Sequence, residues 1–189
     1  EEDYLKIQAK YAITSAVQSI AAYGTENHVW FIARHYLENG VNWGTTSPEH
    51  CTYPAFYSMA MLTRGLGKGE PIGELLGNSE NVYGYFFNTG DNDALVLWNE
   101  SNTVSYQQLK ASSGVKVKNL IGGTEKVYPS SYGLVNIPVT SDPVIVAFSG
   151  RADESNYIKK TFESSYVRDI KRTIGDKVIT QAVWEDSGI

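Results

Sequence analysis

The chain has 189 residues, a formal charge of −5, 42% hydrophobic and 20% charged residues. That length allows one domain or two small ones with a real core, and the composition is globular rather than disordered. The acidic balance argues against nucleic acid or an anionic membrane as a partner. The single cysteine, Cys51, rules out an internal disulfide and a thiolate zinc site. It follows His50, but adjacent loop residues point apart, so the two are not read as nucleophile and base. No apolar run approaches the roughly 18 residues that a membrane-spanning helix needs. No signal peptide is legible, and the chain opens Glu-Glu-Asp without Met. A processed or artificial boundary is therefore expected there, with the parent protein extending upstream. Thirteen Tyr and four Trp stand against 16 Lys plus Arg. Such rings suit sugars, stacking on C–H faces while their polar edges bond hydroxyls, though Tyr is equally at home in β-rich extracellular domains.

In chain order, residues 3–22 are expected to form a helix. Leu5, Ala9, Ala12, Ile13, Ala16, Val17 and Ile20 share one stripe, acidic residues precede it, and Gly24 is placed to stop it. Val29-Trp30-Phe31-Ile32-Ala33 is a short apolar run, which fits a buried strand over 28–33. A polar and aromatic loop follows to Tyr53. Pro54 then suits the first position of a helix over 54–66, with Phe56, Met59, Ala60, Thr63 and Leu66 at three-to-four spacing and Gly67 as its stop. The order α-β-α points to a wound layer, but one strand has nothing to pair with in a parallel sheet.

From Gly67 to Asn81 the chain reads as a Gly-rich connector. Short strands at close spacing come next, near 82–87, 94–98, 104–109, 115–120, 124–128, 133–138 and 144–148, with turn residues between them. Seven such strands indicate an antiparallel β-sandwich. Residues 150–158, GRADESNYI, read as a polar linker. Two last strands, 166–170 and 178–183, flank Gly175-Asp176, a pair suited to a hairpin turn. That hairpin could extend the sandwich, pack on the helices, or open a further module.

The order of several short motifs carries a resemblance. They are Gln8-Ala9-Lys10-Tyr11, Trp30-Phe31, Tyr53-Pro54-Ala55-Phe56-Tyr57-Ser58-Met59, Leu66-Gly67, Ala94-Leu95-Val96-Leu97-Trp98, Lys118-Asn119-Leu120-Ile121-Gly122 and Asp142-Pro143-Val144-Ile145-Val146. Over residues 3–149 the chain resembles the C-terminal portion of a (β/α)8-barrel glycoside hydrolase of the large retaining clan. The resemblance implies an α+β chain: terminal α-β-α elements of the barrel in 1–67, then an antiparallel β-sandwich in 68–150. Residues 151–189 would be a linker and a hairpin extension or the start of a further module. Strand 28–33 would be the eighth of the barrel. The acid/base and nucleophile of that clan, after its fourth and seventh strands, would then precede residue 1. No catalytic residue is assigned to this chain.

Substrate contact is expected from His35, Tyr36, Glu38 and Trp43 in the loop after that strand. Retaining hydrolysis needs two carboxyls about 5–5.5 Å apart. Glu38 and Glu49 are the acids near the strand end, and the bland reading, a surface or hydroxyl-binding Glu38, stands beside a catalytic pair. Trp30 could line a sugar subsite or fill a barrel core. Trp98 is expected in the sandwich core, and Asp91-Asn92-Asp93 in a turn, since it lacks the spacing of a calcium loop. Asn99-Glu100-Ser101 is a glycosylation sequon, meaningful only if the source secretes through a eukaryotic pathway. No metal or cofactor is implied.

Two functional readings follow. The first is a partial glycoside hydrolase, extracellular or secreted, acting on carbohydrate only with upstream barrel sequence and inactive alone. The second is a non-catalytic carbohydrate-binding or structural module built on the sandwich, with residues 3–66 as a cap. A lone strand and two amphipathic helices would expose apolar surface, so a missing barrel segment, a partner chain or self-association is expected.

Overall fold

The structure, a computed structural model, describes residues 2–21, 37–38, 41–42, 44–77, 81–159, 167–174 and 177–184. The strand expected over 28–33 and the Gly24 stop lie outside these residues. Helix α1 spans Glu2–Ala21. Ala9, Ala12, Ile13, Ala16 and Val17 of its expected stripe are buried, while Leu5 and Ile20 at the stripe's ends are half-buried. Two short strands, β1 (Leu37–Glu38) and β2 (Val41–Asn42), pair antiparallel with each other.

Helix α2 spans Pro54–Leu66, as its pattern predicts. Tyr53 enters in extended conformation, Pro54 occupies the first turn, and Gly67 leaves at φ +59° with its N–H donating to Thr63 O at 2.8 Å. The buried face differs from expectation. It is formed by Ala55, Ser58, Leu62 and Leu66, whereas Phe56 and Thr63 are exposed. The helix is turned because Ala55 meets Ala9 and Ala12 of α1, and small residues let the two helices approach closely. Phe56 would not fit that seam.

The remaining strands are β3 (Glu70–Leu75), β4 (Val82–Asn88), β5 (Asp93–Asn99), β6 (Ser105–Lys110), β7 (Val115–Asn119), β8 (Glu125–Tyr128), β9 (Leu134–Val139), β10 (Val144–Ala147) and β11 (Tyr157–Lys159), then β12 (Val167–Ile174) and β13 (Lys177–Trp184). The fold is α+β, with two α-helices among the described residues and antiparallel sheet. Seven strands form one sheet in the order β11-β3-β4-β5-β10-β7-β8, and β6 and β9 pair separately. β12 and β13 pair with each other from Val167↔Trp184 to Ile174↔Lys177, so the expected hairpin forms with longer arms. Its turn residues, Gly175 and Asp176, lie outside the described residues.

β3 and β11 depart from the sequence reading, which has a connector at one and a linker at the other. Gly73 explains both. It sits against the Tyr157 ring and Ile158 O, where an added Cβ would fall 2.3 and 2.5 Å from its neighbours. Pro71 is accommodated by an irregularity in the β3–β4 register between Pro71 and Gly73. The residues that look like punctuation are thus those that let an edge strand close over β3.

The large sheet is apolar on both faces. Every residue of β5 is buried. Ala94, Val96 and Trp98 join Ile13, Val17, Leu62 and Leu66 of the helices in one cluster, with Phe87 and Ile145 from neighbouring strands. Leu95 and Leu97 point the other way, into a cluster with Leu109, Val135, Ile137 and Val139 of β6 and β9. Lys10 of α1 fastens the helical layer at the β9–β10 turn, with Nζ 2.7 Å from Asp142 Oδ1 and donating to Ser141 Oγ at 2.9 Å.

Trp98, expected in the core, is 2% exposed and stacks on Tyr83 at 5.7 Å between centroids. Its Nε1 is buried without a hydrogen-bond partner among the described residues. An unsatisfied buried donor costs about 1–3 kcal/mol. Trp98→Phe removes that donor along with part of the ring, so it is expected to cost much less than Trp98→Ala, which should lose about 3–5 kcal/mol. Urea denaturation of the two variants compares them directly, and a loss in Trp98→Phe as large as that in Trp98→Ala would overturn this expectation.

Candidate functional site

Of the residues expected to contact substrate, His35, Tyr36 and Trp43 lie outside the described residues. Glu38 is described only as a β1 residue opposite Val41. The end of the loop is described from Gly44 onward. Gln8 of α1 donates to Gly44 O at 3.1 Å, tying the loop to the helix. From Thr45 to Tyr53 the chain closes on itself. Tyr53 N donates to Thr45 O, Ser47 N to Cys51 O and His50 N to Ser47 O, all at 2.8–3.0 Å, and Thr46 bridges Thr52. His50 takes a left-handed φ of +64° in that turn. Glu49, His50 and Cys51 are exposed on its tip. Among the described residues no three His, Cys, Asp or Glu side chains are grouped to hold a metal.

A concavity lies where β3 and β11 meet the ends of β4 and β5. It is an open groove of about 450 Å³ lined by Pro71, Ile72, Asn88, Asp93, Arg151 and Ala152, with Glu154, Tyr157 and Lys159 beyond them. Asp93 is its buried anchor, 2% exposed. One carboxylate oxygen accepts from Arg151 Nη1 at 2.9 Å and the other from Ala152 N at 2.8 Å. Arg151 Nη1 also donates to Asn88 Oδ1 at 2.6 Å, which in turn accepts from Gly90 N. The guanidinium is therefore held between two strand ends, although more than half of its side chain is exposed.

Opposite it, Lys159 Nζ donates to Glu154 Oε1 at 2.7 Å, on the solvent side. That hydrogen bond, more than the carboxylate's charge, pushes the ammonium above its ordinary value, so Lys159 stays cationic. Asp153 caps the 3-10 turn Glu154–Asn156 by accepting from Ser155, and those hydrogen bonds lower its carboxyl. Burial first, then the charges of Glu154 and Asp93, pushes the Tyr157 phenol up. Its ring lies 4.8 Å from that of Phe86, fixing the groove's inner wall.

These residues are spread from Pro71 to Lys159, and the sequence reading does not assemble them. The one legible signal is the polar run GRADESN, read as a linker; its Arg151, Ala152 and Asn156 are in fact bound to the sheet. Asn156 accepts from Lys110 N and donates to Lys110 O, both at 2.8 Å, linking the run to β6. Asp91-Asn92-Asp93 forms the expected turn, with Thr89 N donating to Asn92 O and Asn92 Oδ1 accepting from Gly150 N. The sequon reading is corrected. Asn99 is buried, and its Nδ2 donates to Thr103 O and Ser105 Oγ, so the nitrogen that a glycan would occupy is spent inside the fold.

No protein-family model and no curated protein matches this chain. Solved structures do. A family 39 glycoside hydrolase from the gut symbiont Bacteroides cellulosilyticus is similar at a TM-score of 0.51 and 13% identity, over 63% of this chain and 25% of that one. The family 30 subfamily 8 xylanase Xyn30A from Clostridium acetobutylicum is similar at 0.52 and 15% identity, over 77% of this chain and 39% of that one. At such identities the likeness is one of fold. The chain shares the fold of part of these glycoside hydrolases and spans well under half their length.

The raised Tyr157 makes a pH test. A phenol whose folded value lies above its unfolded one contributes stability that is present below the ordinary tyrosine value and lost as pH rises through the folded value. Tyr157→Phe is therefore expected to leave neutral stability nearly unchanged and to lessen its decline in alkali. Urea midpoints measured from neutral to alkaline pH check this; parallel declines in both proteins would refute it.

Proposed function

We propose that this chain is the C-terminal portion of a retaining (β/α)8-barrel glycoside hydrolase. Residues 1–67 supply its last helix–strand–helix and residues 68–150 an appended β-sandwich, and the enzyme acts on carbohydrate outside the cell. The observation that carries this reading is the pair α1–α2, laid on one face of the antiparallel sheet while its outward side shows apolar residues. Ile7, Tyr11, Phe56 and Tyr57 are each about half exposed or more. A row of this kind suits a further layer of helices and strands. The part-length likeness to two glycoside hydrolases supports the same reading.

On this reading catalysis needs upstream barrel sequence, carried on the same polypeptide or brought by a partner chain. His35, Tyr36, Glu38 and Trp43 would then lie at the barrel mouth as substrate contacts, and the 189-residue chain alone would be inactive. Self-association through α1 and α2 is the expected behaviour of the isolated chain.

One observation favours the second reading, a carbohydrate-binding or structural module that works alone. The cluster between the large sheet and β6–β9 draws only on residues from Ile72 to Tyr157 and is complete without the helices. Intact-mass analysis of the native polypeptide from its source separates the two. The hydrolase reading expects a linked or co-purifying segment of about 250 residues, the usual size of such a barrel, with hydrolysis of a polysaccharide panel only when it is present. A native chain that purifies alone as a folded monomer of 189 residues would overturn it.

A further inference from the structure

We propose that the groove between β3, β11 and the ends of β4 and β5 binds a neutral sugar unit, at a site separate from any barrel. Three features point to that ligand class. The first is charge. Arg151 and Lys159 are matched by Asp93 and Glu154, each pair in contact at 2.9 and 2.7 Å. An anion would find both cations already neutralised, and a cation would find both carboxylates occupied.

The second is hydrogen-bonding capacity. Arg151 Nε and Nη2 and Asn88 Nδ2 carry no hydrogen bond among the described residues. Lys159 retains two N–H donors, and Glu154 retains an oxygen that no hydrogen bond claims. Residues with spare donors and a residue with a spare acceptor thus line one groove, and a vicinal pair of hydroxyls can use both, since each hydroxyl both gives and takes a proton. The third is the apolar strip of Pro71 and Ile72 beside them, against which a sugar's C–H face can lie. The groove's size falls within the range of about 300–1,000 Å³ usual for small-molecule sites. Arg151 is already held by the buried Asp93, so little freedom is lost when it binds.

Such binding needs no upstream sequence, and its failure leaves the hydrolase reading untouched. The test is a titration of the isotopically labelled 189-residue chain, followed by amide and arginine Nε–H resonances. The neutral probes are xylotetraose and maltotetraose, and glucuronate and inorganic phosphate serve as anionic ones. Saturable shifts at Asn88, Asp93, Ala152, Lys159 and Arg151 Nε–H with a neutral probe are expected.

Arg151→Ala strips the partner from a buried carboxylate and risks the fold. The informative variant is therefore Glu154→Ala with Lys159→Ala, which removes an exposed pair and keeps the net charge. Its spectrum should match the parent away from the groove, and its Kd for the neutral probe should be about tenfold weaker. The proposal is overturned by no saturable shift, by shifts centred elsewhere, by unchanged affinity in the double variant, or by an anion that binds as tightly as the neutral sugars.

Discussion

The constraint on which the rest of this molecule depends is that β5 is buried on both faces. A strand reading Asp-Ala-Leu-Val-Leu-Trp-Asn cannot lie at a sheet surface. Alternate side chains leave in opposite directions, so both Trp98 and Leu97 need cover. Helices α1 and α2 provide it on one side, and β6 with β9 on the other. Burying a side chain of this size yields about 1.5–3 kcal/mol, so neither layer can be removed without exposing several such residues. The three-layer arrangement is thus a consequence of one strand's composition.

The polar features of the fold sit at its ends and edges, where they settle backbone groups. Asp93 begins β5 and is fully committed to Arg151 and Ala152, which draws the segment after β10 back across the sheet. Asn156 does the same toward β6. Two buried polar side chains therefore turn a stretch with linker composition into structure. They also set out a concave surface in which charges are balanced and hydrogen-bonding groups are not exhausted.

Much of the sheet was legible in the sequence because its strands are short, apolar and divided by turn residues with clear chemistry. Strands β4 to β10 fall within a residue or two of their expected bounds. Helix α2 was legible from Pro54 and Gly67. Its buried face was not, because the choice between Ala55 and Phe56 is made by alanines of α1, nearly fifty residues away. β3 was hidden for a related reason. Pro71 and Gly73 look like breakers until the ring of Tyr157, which needs a residue without Cβ beneath it, is brought into view. The groove was illegible because each of its members has an ordinary local excuse, a turn for Asn88, a strand end for Asp93, a linker for Arg151. Only the pairing of β11 with β3 brings them together. For the loop of His35, Tyr36, Glu38 and Trp43, the sequence reading stands as an expectation.

The place of β10 has a consequence for how the chain reaches this state. β10 pairs with β5 on one side and β7 on the other, through Val144↔Leu97 and Val144↔Asn119. It joins β3-β4-β5 to β7-β8, yet it is made after both, and β11 is added to the β3 edge later still. While the chain is still emerging from a ribosome, the two halves must therefore wait as separate ribbons, each with a long unpaired edge on the strand that will later receive β10. Open edges of this kind recruit other strands, and pairings this distant in sequence form slowly. The four residues Val144–Ala147 act as the keystone of the sheet, and the interval before they arrive is when the protein is most exposed to association with its own kind.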